Sequence, residues 1–217
     1  ADDMVSRLPP ALQSFRALER ESDWLLRWSS ERVRLFDAAQ VGSYGTTPFQ
    51  SWQRVVSLPV IQQSLRSVPG RSALVLGSAL GYQCLFALAS GWQKCVGYEL
   101  LCESLVKPGQ SILEQHLLDG SVHLHCADAQ HAPELREAGL VWVNDEVFPE
   151  GVRAGILTKA ASQLPIGALV VVYLDPQRLL QGVFDVVSEL EILVSWHAQQ
   201  KIWVLRKTRS LASATQE

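Results

Sequence analysis

The turn Gly77-Ser78-Ala79-Leu80-Gly81, with Glu99 eighteen residues after Gly81, carries the clearest chemical signal of the chain. It closes an apolar run, Ser72-Ala73-Leu74-Val75-Leu76, and opens a helical pattern. In open α/β sheets this arrangement puts a helix N-terminus and one carboxylate beside the same crevice, where a nucleotide-like cofactor binds. Gly77 and Gly81 let the backbone approach such a ligand closely, and Ser78 lies between them. The Glu99 carboxylate can accept hydrogen bonds from ribose hydroxyls. Asp128, at the end of the next apolar strand pattern, can accept the adenine exocyclic amine or cap a helix, and both roles stay open. Asn144 follows Leu140-Val141-Trp142-Val143 and offers an amide oxygen and nitrogen to a substrate amine without carrying charge; an Asx turn is the alternative.

Other chemistries find less support. No lysine follows the glycine turn as a phosphate-cradling NTPase requires, and no GxSxG elbow marks a serine nucleophile. His123 and His125 share one face of a strand that is expected to be central. No further ligands at matching spacing accompany them, so no metal is expected.

The elements that must hold these residues alternate. Strands are expected at 72–77, 94–99, 121–126, 139–144 and 166–174, with helices at 82–90, 101–117, 131–137 and 150–163. Short apolar strands separated by helices imply a parallel sheet covered on both faces. Two final strand patterns, 184–195 and 200–206, have only a short link between them and must pair as an antiparallel hairpin. Ahead of the sheet, residues 10–37 read as a helix entered through Pro9-Pro10, and 49–67 as a helical stretch interrupted near Pro59. A mostly parallel seven-stranded α/β sheet finished by a hairpin is the Rossmann-like architecture of class I S-adenosylmethionine-dependent methyltransferases. The expected division is an N-terminal helical extension and loop over 1–68, the loop being cofactor-covering by family resemblance alone, a Rossmann-like domain over 69–210, and a tail over 211–217.

Composition agrees with a globular chain: 47% of residues are hydrophobic and 19% charged, which excludes a disordered tail. No apolar run approaches the ~20 residues of a membrane span, so no membrane partner is expected. A net charge of −3 gives no overall basic field for nucleic acid, and direct DNA contact is left open. Arg7, Arg16, Arg20, Arg27, Arg32 and Arg34 lie in the first helical segment with Glu19, Glu21, Asp23 and Glu31 among them, as on a solvated helix laced by short-range ion pairs; an Arg-bearing surface for an acidic partner is the alternative. Cys84, Cys95, Cys102 and Cys126 form no CxxC pair. They read as small buried hydrophobes of an intracellular, reducing compartment.

One family resemblance runs through these motifs in order. The stretch Ser43-Tyr44-Gly45-Thr46-Thr47-Pro48-Phe49 is similar to the Val-Tyr-Gly-Glu-Thr-Ser-Phe loop of the disruptor-of-telomeric-silencing (DOT) family of non-SET histone lysine methyltransferases. Leu76-Gly77-Ser78 with Gly81 resembles that family's glycine turn, and Gly97-Tyr98-Glu99 its Gly-Val-Glu. Val143-Asn144 with Phe148 resembles its Val-Asn-Asn segment, and Val194-Ser195-Trp196 its Val-Ser-Trp. The resemblance implies S-adenosylmethionine as cofactor, S-adenosylhomocysteine as product, and a protein lysine as acceptor. A histone or nucleosome partner and a nuclear location on chromatin follow by the same resemblance. It assigns Thr46, Thr47, Gly77, Ser78, Gly81, Glu99, Asp128 and Asn144 to the cofactor. It places Tyr44, Asn144, Phe148 and Trp203 around the reacting amine. The chain departs from the family pattern at Val75 and Thr46, where carboxylates stand, and at Ala79, where a glycine stands. Another protein or a small molecule as acceptor, or a non-catalytic interaction module, is the alternative.

Overall fold

The computed structural model describes residues 2–35, 45–67, 72–116, 120–176 and 182–210, with side chains from residue 9 onward. Seven strands form one sheet: β1 (Ser72–Leu76), β2 (Lys94–Glu99), β3 (Val122–Cys126), β4 (Ala138–Val143), β5 (Leu169–Val172), β6 (Phe184–Val194) and β7 (His197–Lys207). Their order is β3-β2-β1-β4-β5-β7-β6. The first five run parallel, and β7 enters antiparallel between β5 and β6. The expected fold class is therefore the observed one. The strand carrying His123 and His125 is an edge strand, however, not a central one.

Two apolar layers bury the sheet. On one face Val75, Trp142, Val171, Tyr173, Ile202 and Val204 pack under the helices α3 (Phe49–Val56), α4 (Pro59–Ser67), α5 (Tyr82–Ala89) and α6 (Lys107–His116). The Trp52 and Trp142 rings stack there with centroids 4.5 Å apart. On the other face Leu74, Leu76, Val141, Val143, Val170, Val172 and Trp203 meet α7 (Glu150–Gln163). Alternation along β1, β4 and β5 sends successive side chains to opposite layers, so both faces are apolar and the strands read as continuous hydrophobic runs.

The N-terminal segment is two helices, not one: α1 (Asp2–Glu19) and α2 (Ser22–Leu35). Pro9 and Pro10 lie inside α1. A tight turn at Arg20 and Glu21, whose amides bond Ala17 and Leu18 carbonyls, separates the pair. The break lets α2 reach the segment after β2. Pro108 has no N–H to give the Ser104 carbonyl four residues before it, and the Trp24 indole donates to that carbonyl at 2.8 Å. The helix expected at 101–117 accordingly begins as a wider π-helical turn, Cys102–Val106. Glu31, expected on a solvated face, is buried and accepts from the Glu103 and Ser104 amides at 2.9 and 2.7 Å. Those bonds hold its carboxyl below the usual range although burial pushes the other way. The stretch 131–137 is likewise a pair of 3-10 turns, Ala129–His131 and Pro133–Arg136, with Pro133 starting the second.

Cysteine usage divides. Cys84 and Cys95 are buried thiols, as expected. Cys102 and Cys126 instead form a disulfide with Cα atoms 5.1 Å apart, which corrects the reading of every cysteine as a reduced core residue. The parallel register sets Glu99 opposite Cys126, and the chain leaving β2 passes over that strand end.

Candidate functional site

The glycine turn is shaped by its surroundings. Gly77 and Gly81 sit at φ +76° and +94°, and Ala79 at φ +48°, a left-handed conformation that costs an alanine about 1–2 kcal/mol. Gly97 explains itself here. A Cβ on it would lie 2.6 Å from Ser78 Cβ, so the bare β2 backbone is the cradle on which the turn rests. Ser78 Oγ is buried with no hydrogen-bond partner among the described residues. Such an orphan calls for a ligand or water.

Glu99 ends β2 and faces this turn. Its carboxylate accepts from the Ala79 amide at 3.2 Å, the Leu100 amide at 2.8 Å and the Leu101 amide at 3.1 Å. Burial raises its carboxyl above the ordinary value, while those amides favour the ionised form. A carboxylate fixed at the turn, with one lone pair of Oε2 still free, fits a ribose hydroxyl of an adenosine-type ligand. Asp128 realises its capping role: its side chain accepts from the Gln130 amide at 2.9 Å and from the Gln130 side chain at 3.3 Å.

A second group lies across the turn, at the carboxyl ends of β1, β4 and β5. Asn144 Nδ2 donates to the Gly77 carbonyl at 2.6 Å and to Gln83 Oε1 at 2.7 Å, and Gln83 Nε2 returns a bond to Asn144 Oδ1 at 3.1 Å. Both amide protons of Asn144 are thus spent, and one lone pair of Oδ1 remains. Gln83 continues to Thr47 Oγ1, which meets the Tyr173 hydroxyl at 2.5 Å, and Trp142 Nε1 donates to that hydroxyl at 3.2 Å. The row is uncharged throughout. Burial pushes the Tyr173 phenol up to about 12, so it stays protonated in neutral solution.

Two straps close the row. The turn between β6 and β7 binds the loop before α3: Ser195 N donates to the Thr46 carbonyl at 3.0 Å, and Thr46 N to Ser195 Oγ at 2.8 Å. Trp196 then packs on Tyr173 with ring centroids 5.8 Å apart and against bare Gly45, where any Cβ would overlap the indole. Phe148, half-buried, covers Gly77 from the other side.

The structure thereby gathers Thr46, Thr47, Gly77, Ser78, Gly81, Glu99, Asn144 and Phe148 around the strand ends. Tyr44 lies outside the described residues. Trp203 stands apart: it opposes Val172 in the sheet and points into the α7 layer, with Lys201 Nζ 5.2 Å over its ring. Gln83 and Tyr173 were not singled out from sequence, and Trp196 entered only as part of the Val-Ser-Trp resemblance, with no role attached. Gln83 offered one signal, as a polar residue at a buried position of the helix that follows the turn.

Asp145, next to Asn144, ties the frame together. It accepts from the Tyr173 amide at 2.7 Å and pairs with Arg153 Nε at 2.9 Å, while Arg153 also reaches the Asp175 carbonyl. Burial is the largest influence and raises its carboxyl from 3.8 to about 6. The folded chain therefore holds this proton more tightly than the unfolded one. Its contribution to stability is complete below pH 3.8 and is lost as pH rises through about 6. The loss is expected to be of order 3 kcal/mol, since each tenfold gain in proton affinity on folding is worth about 1.4 kcal/mol. Denaturant melts of wild type and Asp145→Asn from pH 4 to 7 check this. Wild type should fall relative to the variant up to pH 6, and parallel curves would refute it.

No protein-family model matches the sequence, and no curated protein matches it. Among solved structures the chain is similar to an RNA methyltransferase from Salinibacter ruber in complex with S-adenosyl-L-homocysteine, at 18% identity and TM-score 0.52, over 71% of this chain and 94% of that one. It is also similar to magnesium protoporphyrin IX methyltransferase from Synechocystis PCC 6803 with bound SAM, at 15% identity and TM-score 0.55, over 87% and 98%. The fold is that of the Rossmann-like class I methyltransferases. At these identities the likeness speaks to fold alone.

Proposed function

We propose that this chain is an S-adenosylmethionine-dependent methyltransferase whose acceptor is a lysine amine of a protein, with a histone as the acceptor suggested by the DOT-family resemblance. The observation that carries the proposal is the uncharged row Asn144–Gln83–Thr47–Tyr173 at the ends of β1, β4 and β5, one turn away from the Glu99 carboxylate. It pairs an acceptor for a ribose hydroxyl with a neutral, aromatic-flanked acceptor for an amine.

S-adenosylmethionine supplies an electrophilic methyl group on a sulfonium. Glu99 would hold its ribose, Asp128 its adenine amine, Gly77, Ser78 and Gly81 its close approach to the backbone, and Thr46 with Thr47 its amino-acid end. The free lone pair of Asn144 Oδ1 accepts a hydrogen bond from an N–H of the incoming amine and aims it, which is catalysis by positioning. Phe148 and Trp196 wall the approach with apolar rings. Such walls disfavour an ammonium, so the lysine gives its proton to bulk water as it enters and reacts as the neutral amine.

Incubation with methyl-labelled S-adenosylmethionine and either nucleosomes, free histones, total RNA or a lysate protein fraction tests this. Label on a histone lysine is expected. Label on RNA alone would overturn the acceptor, and no calorimetric heat at millimolar S-adenosylmethionine would overturn the enzyme.

A further inference from the structure

We propose that Cys102 and Cys126 are a thiol–disulfide site that clamps the segment 100–106 and so sets the affinity of the adenosine side of the pocket, an inference that rests on the cofactor reading above. Three observations meet there. The bridge joins the first residue of the π-helical turn to the last residue of β3, directly opposite Glu99 in the sheet register. The two residues between Glu99 and Cys102 are Leu100 and Leu101, whose amides hold the Glu99 carboxylate. On the other strand, Asp128 lies two residues beyond Cys126, and the Ala127 amide donates to the Glu99 carbonyl at 3.1 Å. The covalent bond therefore spans the two carboxylates assigned to the cofactor.

The far end of the segment is held from α2: the Glu31 carboxylate takes the Glu103 and Ser104 amides, the Trp24 indole donates to the Ser104 carbonyl, and Leu105 and Val106 are buried. The near end is held by the disulfide and by buried Leu101. Reduction leaves the far-end bonds in place, and they lie beyond Leu100 and Leu101 rather than at them. Exposed Leu100 has little packing to replace the lost bond. Access is also built in: Cys126 is exposed and Cys102 half-buried, whereas Cys84 and Cys95 are fully enclosed.

The exchange balances with a dithiol as reductant. Its thiolate attacks Cys126 Sγ and expels Cys102 as a thiolate, and its second thiol then displaces Cys126 to give a cyclic disulfide. Two electrons and two protons pass to the protein, and a low-molecular-weight disulfide such as oxidised glutathione reverses the change.

The test compares protein equilibrated with oxidised glutathione against protein reduced with dithiothreitol. Alkylation with mass spectrometry counts thiols, hydrogen exchange follows 100–106, and calorimetry measures S-adenosylhomocysteine binding. The expected result is a rise from two free thiols to four, faster exchange in 100–106 and about tenfold weaker binding, as when the competent loop arrangement falls to about one part in ten. Cys126→Ser, at an exposed position, should match the reduced protein and ignore dithiothreitol. Four thiols after glutathione treatment, or equal exchange and affinity in both states, would overturn the proposal. Faster exchange on reduction with S-adenosylhomocysteine bound in neither state would support the clamp and refute the cofactor reading instead.

Discussion

Glu99→Ala is expected to weaken S-adenosylhomocysteine binding by about 10- to 100-fold, while leaving the chain folded. A hydrogen bond to a charged group contributes about 1.5–3 kcal/mol, roughly 10- to 100-fold in affinity, and the one lone pair that Glu99 has left can take one such bond from the ribose. The same carboxylate accepts from the Ala79, Leu100 and Leu101 amides, so alanine also releases the turn and the segment behind it. Glu99→Gln separates the two effects. It keeps one oxygen acceptor, and about a tenfold loss is expected from the missing charge. Burial raises the Glu99 carboxyl, so protonation begins at a higher pH than for an exposed glutamate. Wild-type affinity should therefore fall as pH is lowered through that raised value, with the Gln variant flat over the same range. Calorimetric titration at several pH values reads both arms. Unchanged affinity in Glu99→Ala would remove the ribose site from this strand end.

The parts of this site that were legible in sequence are those governed by local rules. Period and turn chemistry located β2 at 94–99 and α7 at 150–163 to the residue. The glycine turn, Glu99 and Asn144 follow from strand ends, which are local features. Gly97 was legible only as part of a motif, because its reason is the Ser78 side chain on the turn after β1, reached across a parallel pair of strands. Glu31 was misjudged for the same cause. Its spacing to arginines on α2 is a surface pattern, yet the π-helical turn created by Pro108 offers amides that outcompete them. The Cys102–Cys126 bridge needed the β2–β3 register, which no single-chain spacing states. Trp203 shows the converse. The family resemblance set it beside the reacting amine, but strand alternation decides the face, and Ile202 and Val204 take the one that Tyr173 shares.

Asn144→Ala is expected to cost about 10²–10³-fold in the rate of methyl transfer, the usual scale for removing one preorganised polar group from a reacting centre. The reason lies in its inventory of bonds. Asn144 joins the Gly77 carbonyl in the turn to Gln83 on α5, and its spare lone pair is what an amine would meet. Alanine leaves the buried Gln83 amide without this partner, an added loss of about 1–3 kcal/mol in stability. Gln83→Ala breaks the same reciprocal pair from the other side but keeps Oδ1 in place through the Gly77 bond. Its rate should fall less than that of Asn144→Ala, although its stability falls comparably. A double-mutant cycle in denaturant should then return a coupling of about 0.5–3 kcal/mol, because each change removes the other's partner. Equal rate losses in the two single variants would mean that Asn144 acts only by supporting the turn. A coupling near zero would mean that the amide pair does not hold the site at all.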